Sequence, residues 1–492
     1  MSIRAALAEQ TAKTKGLANA DIRRLIADSE LRVASLESNI TELKSAAAPM
    51  EDDGPDDSTL KFVEGEAPLA SSSLLEQRDR ERITAAVLRH LIAPIRSLPV
   101  ELLAEIFSLT IRDNDDPLLS TRSRFVHFQD AYRVSHICSE WRQITLSSPQ
   151  LWTGPINVTV QDPVAQDAGW TVTATGLGAD GLMIRAWLAH SDPLPVPIVL
   201  TGLDDLPEPI LAGLRNGEAL HLPLVLEELL RVAPRWGILH LYGFLPSMFY
   251  QCLVDCTLDS LEEANLLMLD ADGCITAPAS LLGNSPRLRK LNLHIPLLDP
   301  PGTSVTLPSL RVLELTVHSE RNTRLSPFEF LSAPALETCS ISFVFKSISW
   351  TQAAFTAFLL RSPNLTDLHL LSCPLTSSDL IAALSHAPSL THLELDNCHH
   401  LDNTFLLALH YKVGTPPLAP LLHVLRLLHI PESLTESLII VGMLASRWSA
   451  GPATARWSRV TLSPPSRREF TEDFRDAIRE LEHQGIPVEI RT

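Results

Sequence analysis

The side chains suited to chemistry in this chain are few and far apart. Cys252 and Cys256 stand four residues apart, the spacing of one helical face rather than of a metal knuckle, and no second ligand pair follows at finger distance. Cys398-His399-His400, with His392 close by, is a denser group of metal-ligand types. Adjacent loop residues point in different directions, however, and Cys398 also belongs to a repeat described below. Asp270-Ala271-Asp272-Gly273 begins like a calcium loop but lacks the remaining ligand spacing, so it reads as an oxygen-rich turn. Gly283-Asn284-Ser285-Pro286 lacks the closing glycine of a nucleophile elbow, and neither H-E-x-x-H nor a phosphate-cradling glycine loop occurs. The expectation is no catalytic residue, no metal ligand and no cofactor. A chain without such a constellation is expected to work through its surface rather than as an enzyme.

The elements that carry that surface follow from a repeat. The template L-x-x-L-x-L occurs at Leu288-Leu291-Leu293, Leu310-Leu313-Leu315, Leu365-Leu368-Leu370, Leu390-Leu393-Leu395 and Leu422-Leu425-Leu427. Degenerate copies stand at Trp236-Leu239-Leu241, Leu261-Ala264-Leu266, Leu336-Cys339-Ile341 and Trp457-Val460-Leu462. Alternate leucines place one face of a short strand in a core, and a period of roughly 20–30 residues is that of leucine-rich repeats. Two copies extend to L-x-x-L-x-L-x-x-C, ending at Cys373 and Cys398, each followed by a helical stretch. Strand plus helix, stacked coil on coil, predicts a solenoid whose strands line a concave side.

Between the leucines, side chains face out of that side. The candidates are Asn292, Glu314, His369, His392, Glu394 and Asp396, with Lys290, His294, Thr316, Ser340, Ser342 and Asp367 beside them. Many are simply solvated; others are candidates to read a partner, and their mixture of acids and histidines favours a polar or basic peptide segment. Between Trp152 and about Trp236 the periodicity is poor, with strand-like Ile156 to Val160 and Val196 to Leu200 around a helical Leu182 to Leu188. These are expected to be irregular first coils. Glu472 to Glu482 and Ile486 to Ile490 read as a closing helix and strand that cap the last coil.

Ahead of the repeats, Leu98-Pro99-Val100-Glu101-Leu102-Leu103-Ala104-Glu105-Ile106-Phe107 opens a helix with proline in its first turn, where a missing N–H costs nothing. Leu102, Leu103, Ile106 and Phe107 are expected on one apolar face. A second helix is expected through Tyr132, Val134, Ile137, Cys138 and Trp141, closing on Pro149-Gln150-Leu151-Trp152. Between the two, residues 112–127 with Asp113, Asn114, Asp115, Asp116 and Pro117 read as an inserted loop.

The Leu-Pro opening, the R-V-S-x-x-C-x-x-W-R run from Arg133 to Arg142 and the Leu-Trp ending together resemble an F-box. Joined to the leucine repeats, the arrangement resembles the F-box proteins with C-terminal leucine-rich repeats that are expanded in mushroom-forming fungi. That resemblance implies an F-box built on Leu98, Pro99, Leu102, Ile106, Phe107, Val134, Cys138 and Trp141 that docks on a Skp-type adaptor and through it a cullin scaffold. It further implies a substrate-recognition subunit of a cullin-type ubiquitin ligase, with the repeats binding an unidentified target protein. The alternative is a leucine-rich-repeat interaction scaffold without ligase association.

The expected fold class is thus α+β: N-terminal helices and a small helical F-box at 96–152, followed by an α/β leucine-rich-repeat solenoid over 153–492. Residues 1–45 hold a short heptad seam at Ile22, Ile26, Ser29, Val33, Leu36, Ile40 and Leu43. It suits either a coiled coil with a partner, including self-association through residues 22–43, or a helix folded back on its own chain. Residues 46–72, with seven carboxylates against the single Lys61 between Glu51 and Glu66, read as an acidic linker. A capping box at Ser73 to Glu76 predicts a helix over 73–95 leading into the F-box.

Composition bounds the rest. A net charge of −18 argues against nucleic acid as a partner, because phosphate binding needs a basic face. No apolar run reaches membrane-spanning length and the first fifteen residues lack a continuous apolar stretch, so neither a membrane span nor a secretory signal is expected. Seven cysteines, an odd number, then suggest reduced thiols in a cytoplasmic or nuclear protein.

Overall fold

The computed structural model describes residues 3–46, 67–111, 126–161, 171–174, 181–202, 224–243, 249, 252–253, 255–268, 281–296, 304–318, 327–344, 350–431, 434, 438–465 and 469–491. They form two compact units, one ending at Ile106 and the other beginning at Phe107. The chain is of the α+β class.

The first unit is built on α1 (Ile3–Thr14), α2 (Asn19–Ala46) and α3 (Ala67–Leu91). Gly16, at φ +88°, ends α1 in the left-handed conformation that a residue without Cβ adopts cheaply. Ile22 and Ile26 of α2 pack on Leu88 of α3, with Leu91 and Ile92 against the same cluster. Ion pairs Arg89–Glu30, Arg32–Glu81 (3.1 Å) and Arg82–Glu37 run along the same two helices, so α2 and α3 are antiparallel. Each exposed pair is worth about 0–1 kcal/mol, less than the roughly 1.5–3 kcal/mol of a fully buried isoleucine, so the apolar seam carries this contact. The heptad seam is therefore closed on the chain's own α3, with Ile22, Ile26, Ser29 and Ile40 buried.

Two boundaries differ from expectation. Residues 1–45, expected to form one short coiled-coil helix, are divided between α1 and α2 at Gly16. Helix α3 starts at Ala67, not Ser73, so 67–72 belong to it rather than to a linker. Pro68 falls in its first turn, where no hydrogen bond is lost, and this overrides the capping signal further on. Residues 47–66 of the acidic stretch and 112–125 of the expected inserted loop lie outside the described residues.

Helix α4 (Val100–Ile111) follows the short turn Pro94–Ser97. In the second unit the helix expected through Trp141 is two, α5 (Val126–Ser135) and α6 (Ser139–Leu146). The break has a local cause. Cys138 is extended (φ −154°, ψ 171°) and its Sγ accepts the Trp141 N–H at 3.4 Å, capping a new helix. Pro149–Trp152 then turns the chain, anchored by Trp152 Nε1 donating to the Thr145 carbonyl at 2.8 Å.

Beyond it, thirteen strands among the described residues form one sheet. They are β1 (Ile156–Gln161), β2 (Thr171–Ala174), β3 (Val196–Thr201), β4 (Trp236–Gly243), β5 (Glu263–Met268), β6 (Lys290–Pro296), β8 (Val312–His318), β10 (Thr338–Phe343), β11 (Asp367–Leu371), β12 (His392–Asp396), β13 (Val424–Leu428), β14 (Arg459–Leu462) and β15 (Val488–Ile490). The two-residue strands β7 (Val305–Thr306) and β9 (Leu331–Ser332) pair separately. From β3 to β15 the strands of this sheet lie in chain order, each parallel to its neighbour; β1 joins β3 in parallel, and β2, at the edge, pairs antiparallel with β1.

Every copy of the leucine template coincides with one of these strands. Leu239, Ala264, Leu291, Leu313, Cys339, Leu368, Leu393, Leu425 and Val460 align strand to strand in one buried row. Leu241, Leu266, Leu293, Leu315, Ile341, Leu370, Leu395, Leu427 and Leu462 make the next. The leading residues, from Trp236 to Trp457, are buried as well. After β11, β12 and β13 the chain turns through Ser372, Asn397 and His429, all with φ near +50° (53°, 54° and 46°), so three successive connections share one backbone turn. Cys373 and Cys398 follow two of these turns, and each thiol donates to a carbonyl of the preceding strand, Ile341 and Leu370 respectively, at 3.5 Å. Burial drives the Cys398 thiol up to about 12, so it stays a protonated donor.

Helices α7 (Gly181–His190) and α8 (Leu224–Arg231) pack together, and α9 (Gln352–Leu360), α10 (Ser377–Ser385), α11 (Asn403–Leu409), α12 (Leu438–Trp448) and α13 (Glu472–His483) each pack on the next. Helix α10 starts with a capping box between Thr376 and Asp379. Three arginines tie helix ends to earlier carbonyls: Arg235 to Leu188 (3.1 Å) and Leu194 (2.9 Å), Arg361 to Phe328 and Leu331 (3.0 Å), and Arg447 to Leu418 (2.9 Å) and Ala419 (2.8 Å). Arg447 is wholly buried, and burial lowers its pKa only to about 10, so it remains charged beneath Trp457.

Candidate functional surfaces

Two surfaces carry the candidate residues. The first is α4. Leu103, Phe107 and Ile111 recur every four residues and are buried, each no more than 3% exposed. Leu102 (51% exposed), Ile106 (40%) and Leu109 (64%) form a second apolar stripe on the outer side. The expected single face is therefore two, because a run Leu-Leu-x-x-Ile-Phe holds adjacent pairs that a 100° helical step divides. Phe107 is not on the exposed stripe: its ring packs 4.6 Å from that of Trp141. Of the remaining F-box candidates, Pro99 is exposed, whereas Leu98, Val134, Cys138 and Trp141 are half-buried. Tyr132 and Ile137 of the second unit are exposed, at 49% and 60%.

The second surface is the polar side of the sheet. Because side chains alternate across a strand, the residue between two buried leucines points away from the core. The register aligns His240, Asn265, Asn292, Glu314, Ser340, His369, Glu394 and Arg426 in one row. The structure brings the predicted residues together in two groups. Asn292 Nδ2 donates to Glu314 Oε2 at 3.0 Å. Further along, His369 Nδ1 (3.3 Å) and Arg426 Nη1 (3.0 Å) converge on Glu394 Oε2, while His392 Nδ1 lies 3.1 Å from the Asp367 carboxylate. Asp396 stands apart from Glu394 on the strand and meets His429 Nδ1 at 2.7 Å.

The hydrogen bond from His369, aided by that from Arg426 and opposed by burial, holds the Glu394 carboxyl down at about 2. This region forms an open depression of about 450 Å³ lined by His369, His392, Leu393, Glu394, Val424, Arg426, Ser458 and Arg459. The acids on this face thus already have partners within the chain. A preference for basic peptides does not follow from them.

Sequence reasoning did not place Arg426, Arg459, Val424 or Ser458 on this face. The signal was present: Arg426 and Arg459 sit among the template leucines of the last two copies, at positions equivalent to Glu394 and His392. The other polar clusters contribute structure. Cys256 Sγ donates to the Cys252 carbonyl at 3.3 Å, and Cys398 is spent on Leu370. Among the described residues, no group of three or more His, Cys, Asp or Glu side chains has an arrangement that holds a metal ion, and no helix is long and apolar enough to cross a membrane.

Comparison with models of known protein families finds no match, and a search of the curated proteins finds no similar sequence.

Proposed function

We propose that this chain is a substrate-recognition subunit of a cullin-type ubiquitin ligase, in which an F-box between Leu98 and Trp152 docks on a Skp-type adaptor and a leucine-rich-repeat solenoid selects the target. The observation that carries the reading is the outer stripe of α4. Leu102, Ile106 and Leu109 expose apolar area on a helix whose opposite side already supplies its share of core, and such area on a helix suits a partner's groove. The chain-ordered parallel sheet, with its two leucine rows and repeated turns, supports the solenoid. Its polar side supplies a broad face for a target protein.

On this reading the chain reacts with nothing and needs no cofactor. It raises the local concentration of a target beside an enzyme carried by other subunits, an effect worth a factor of ~10²–10⁴ in avidity without new chemistry. Buried, protonated thiols at Cys339 and Cys398 fit work in the reducing cytoplasm or nucleus.

Co-purification with a Skp-type adaptor tests this. Wild-type chain should retain the adaptor, and the double variant Leu102→Glu, Ile106→Glu should lose at least about tenfold in affinity, since two desolvated apolar contacts are replaced by charge. Its circular dichroism should be unchanged, because both side chains face outward. Failure of the wild-type chain to bind any Skp-type adaptor sinks the reading.

A further inference from the structure

We infer that the depression between β11 and β14 is a subsite for an acidic peptide, seating a side-chain carboxylate against Arg459 and Arg426. The inference deepens the reading above and rests on its claim that the polar side of the sheet selects a target. It starts from the register. His392, Val424 and Arg459 are direct neighbours across three parallel strands. Strands lie about 4.8 Å apart, so His392 and Arg459 flank a gap of roughly two strand spacings with the short Val424 as its floor. Glu394 and Arg426 form the adjoining row.

The donors in this gap outnumber what the chain uses. Arg459 is exposed and forms no ion pair among the described residues. Arg426 gives Nη1 to Glu394 at 3.0 Å, and its side chain is 32% exposed at the edge of the gap. The carboxylate of Glu394 is occupied on Oε2 by two donors. A guest carboxylate would meet two guanidinium groups, the pairing for which guanidinium geometry is best suited. A lysine or arginine guest would instead place its cation beside both of them.

The protein's own charge sharpens the test. With a net charge of −18 the molecule as a whole repels an acidic peptide, so binding of one must arise from a local cationic site. Fluorescein-labelled hexaglutamate, hexaserine and hexalysine are titrated into the full-length chain at 150 mM salt, with fluorescence anisotropy as the readout. Hexaglutamate should bind more tightly than either other peptide. Arg459→Glu, on an exposed side chain, should weaken it about tenfold, the scale of one charge-assisted contact. Val424→Phe should weaken it as well by filling the floor, in a strand position that tolerates an aromatic residue.

Equal binding of hexaglutamate and hexaserine, tighter binding of hexalysine, or hexaglutamate binding unchanged in both variants would overturn the assignment. Adaptor co-purification is measured on the same preparation. Adaptor retained without hexaglutamate selectivity removes the subsite alone, and hexaglutamate selectivity without adaptor removes the ligase reading alone.

Discussion

The two ends of the sheet share one backbone plan and carry different chemistry on it. Around β4 to β6 the outward row is His240, Asn265 and Asn292, with the Tyr242 hydroxyl 3.0 Å from His240 Nδ1 and accepting from Asn265 Nδ2 at 3.3 Å. Around β11 to β14 the equivalent positions hold His369, Glu394 and Arg426, and the network is ionic. The buried rows do not change in kind from one end to the other. The apolar positions therefore set the frame, while the positions between them, buried at His240 and half-buried from Asn265 to Arg426, vary in chemistry.

The largest effects should be the same at both ends. Leu241→Ala and Leu393→Ala each leave a cavity in a buried row and should cost about 2–5 kcal/mol in urea-monitored unfolding. A large difference between them would mean that the frame is not uniform and would break the comparison at its base. Next, Glu394→Gln should cost about 1 kcal/mol at neutral pH, the charge-assisted bonds being discounted for solvent at the mouth of the depression.

The pH dependence of that loss has a definite sign. The carboxyl is depressed in the folded chain, so its contribution is fully present above the unfolded value near 4.5 and disappears as pH falls toward about 2. Wild type and Glu394→Gln should converge in stability across that window, and parallel acid-denaturation curves would refute the assignment. The smallest effect, roughly 0.5–1 kcal/mol, is expected for Tyr242→Phe, which removes a neutral hydroxyl from the opposite end. Its cost should stay constant between pH 5 and 2, where the Glu394→Gln cost does not.

Much of the sheet was readable in advance because the template has period two, and a strand shows its buried face directly in its residues. Even the degenerate copy with Ala264, and the one with Cys339, fell into register. Helix α4 was harder. Leu102-Leu103 and Ile106-Phe107 are apolar pairs, and no pattern of apolar residues alone says which member of a pair meets core and which meets solvent. The division of α5 from α6 depended on one side-chain cap at Cys138, a residue type that rarely signals a helix start. The arginines that tie helix ends to earlier carbonyls, Arg235, Arg361 and Arg447, were invisible because their partners are backbone atoms about 25–50 residues away. The depression was missed for a related reason: its outline depends on Val424 being short between two longer neighbours, and relative height exists only once strands are paired.

The strict chain order of the strands also bears on how this molecule comes apart. Within the large sheet, from β4 onward, each strand is bonded to the sheet strand before it in the chain and the one after. Loss of β15, three residues long at the rim, uncovers β14 in the sheet and frees its contact with α13. Opening can therefore advance inward from either rim like a zipper, one rung at a time, and amide exchange should be slowest in the middle rungs. The acidic-peptide subsite lies only a few rungs from that rim. A guest spanning β11 to β14 would fasten the end of the ladder that is otherwise first to let go.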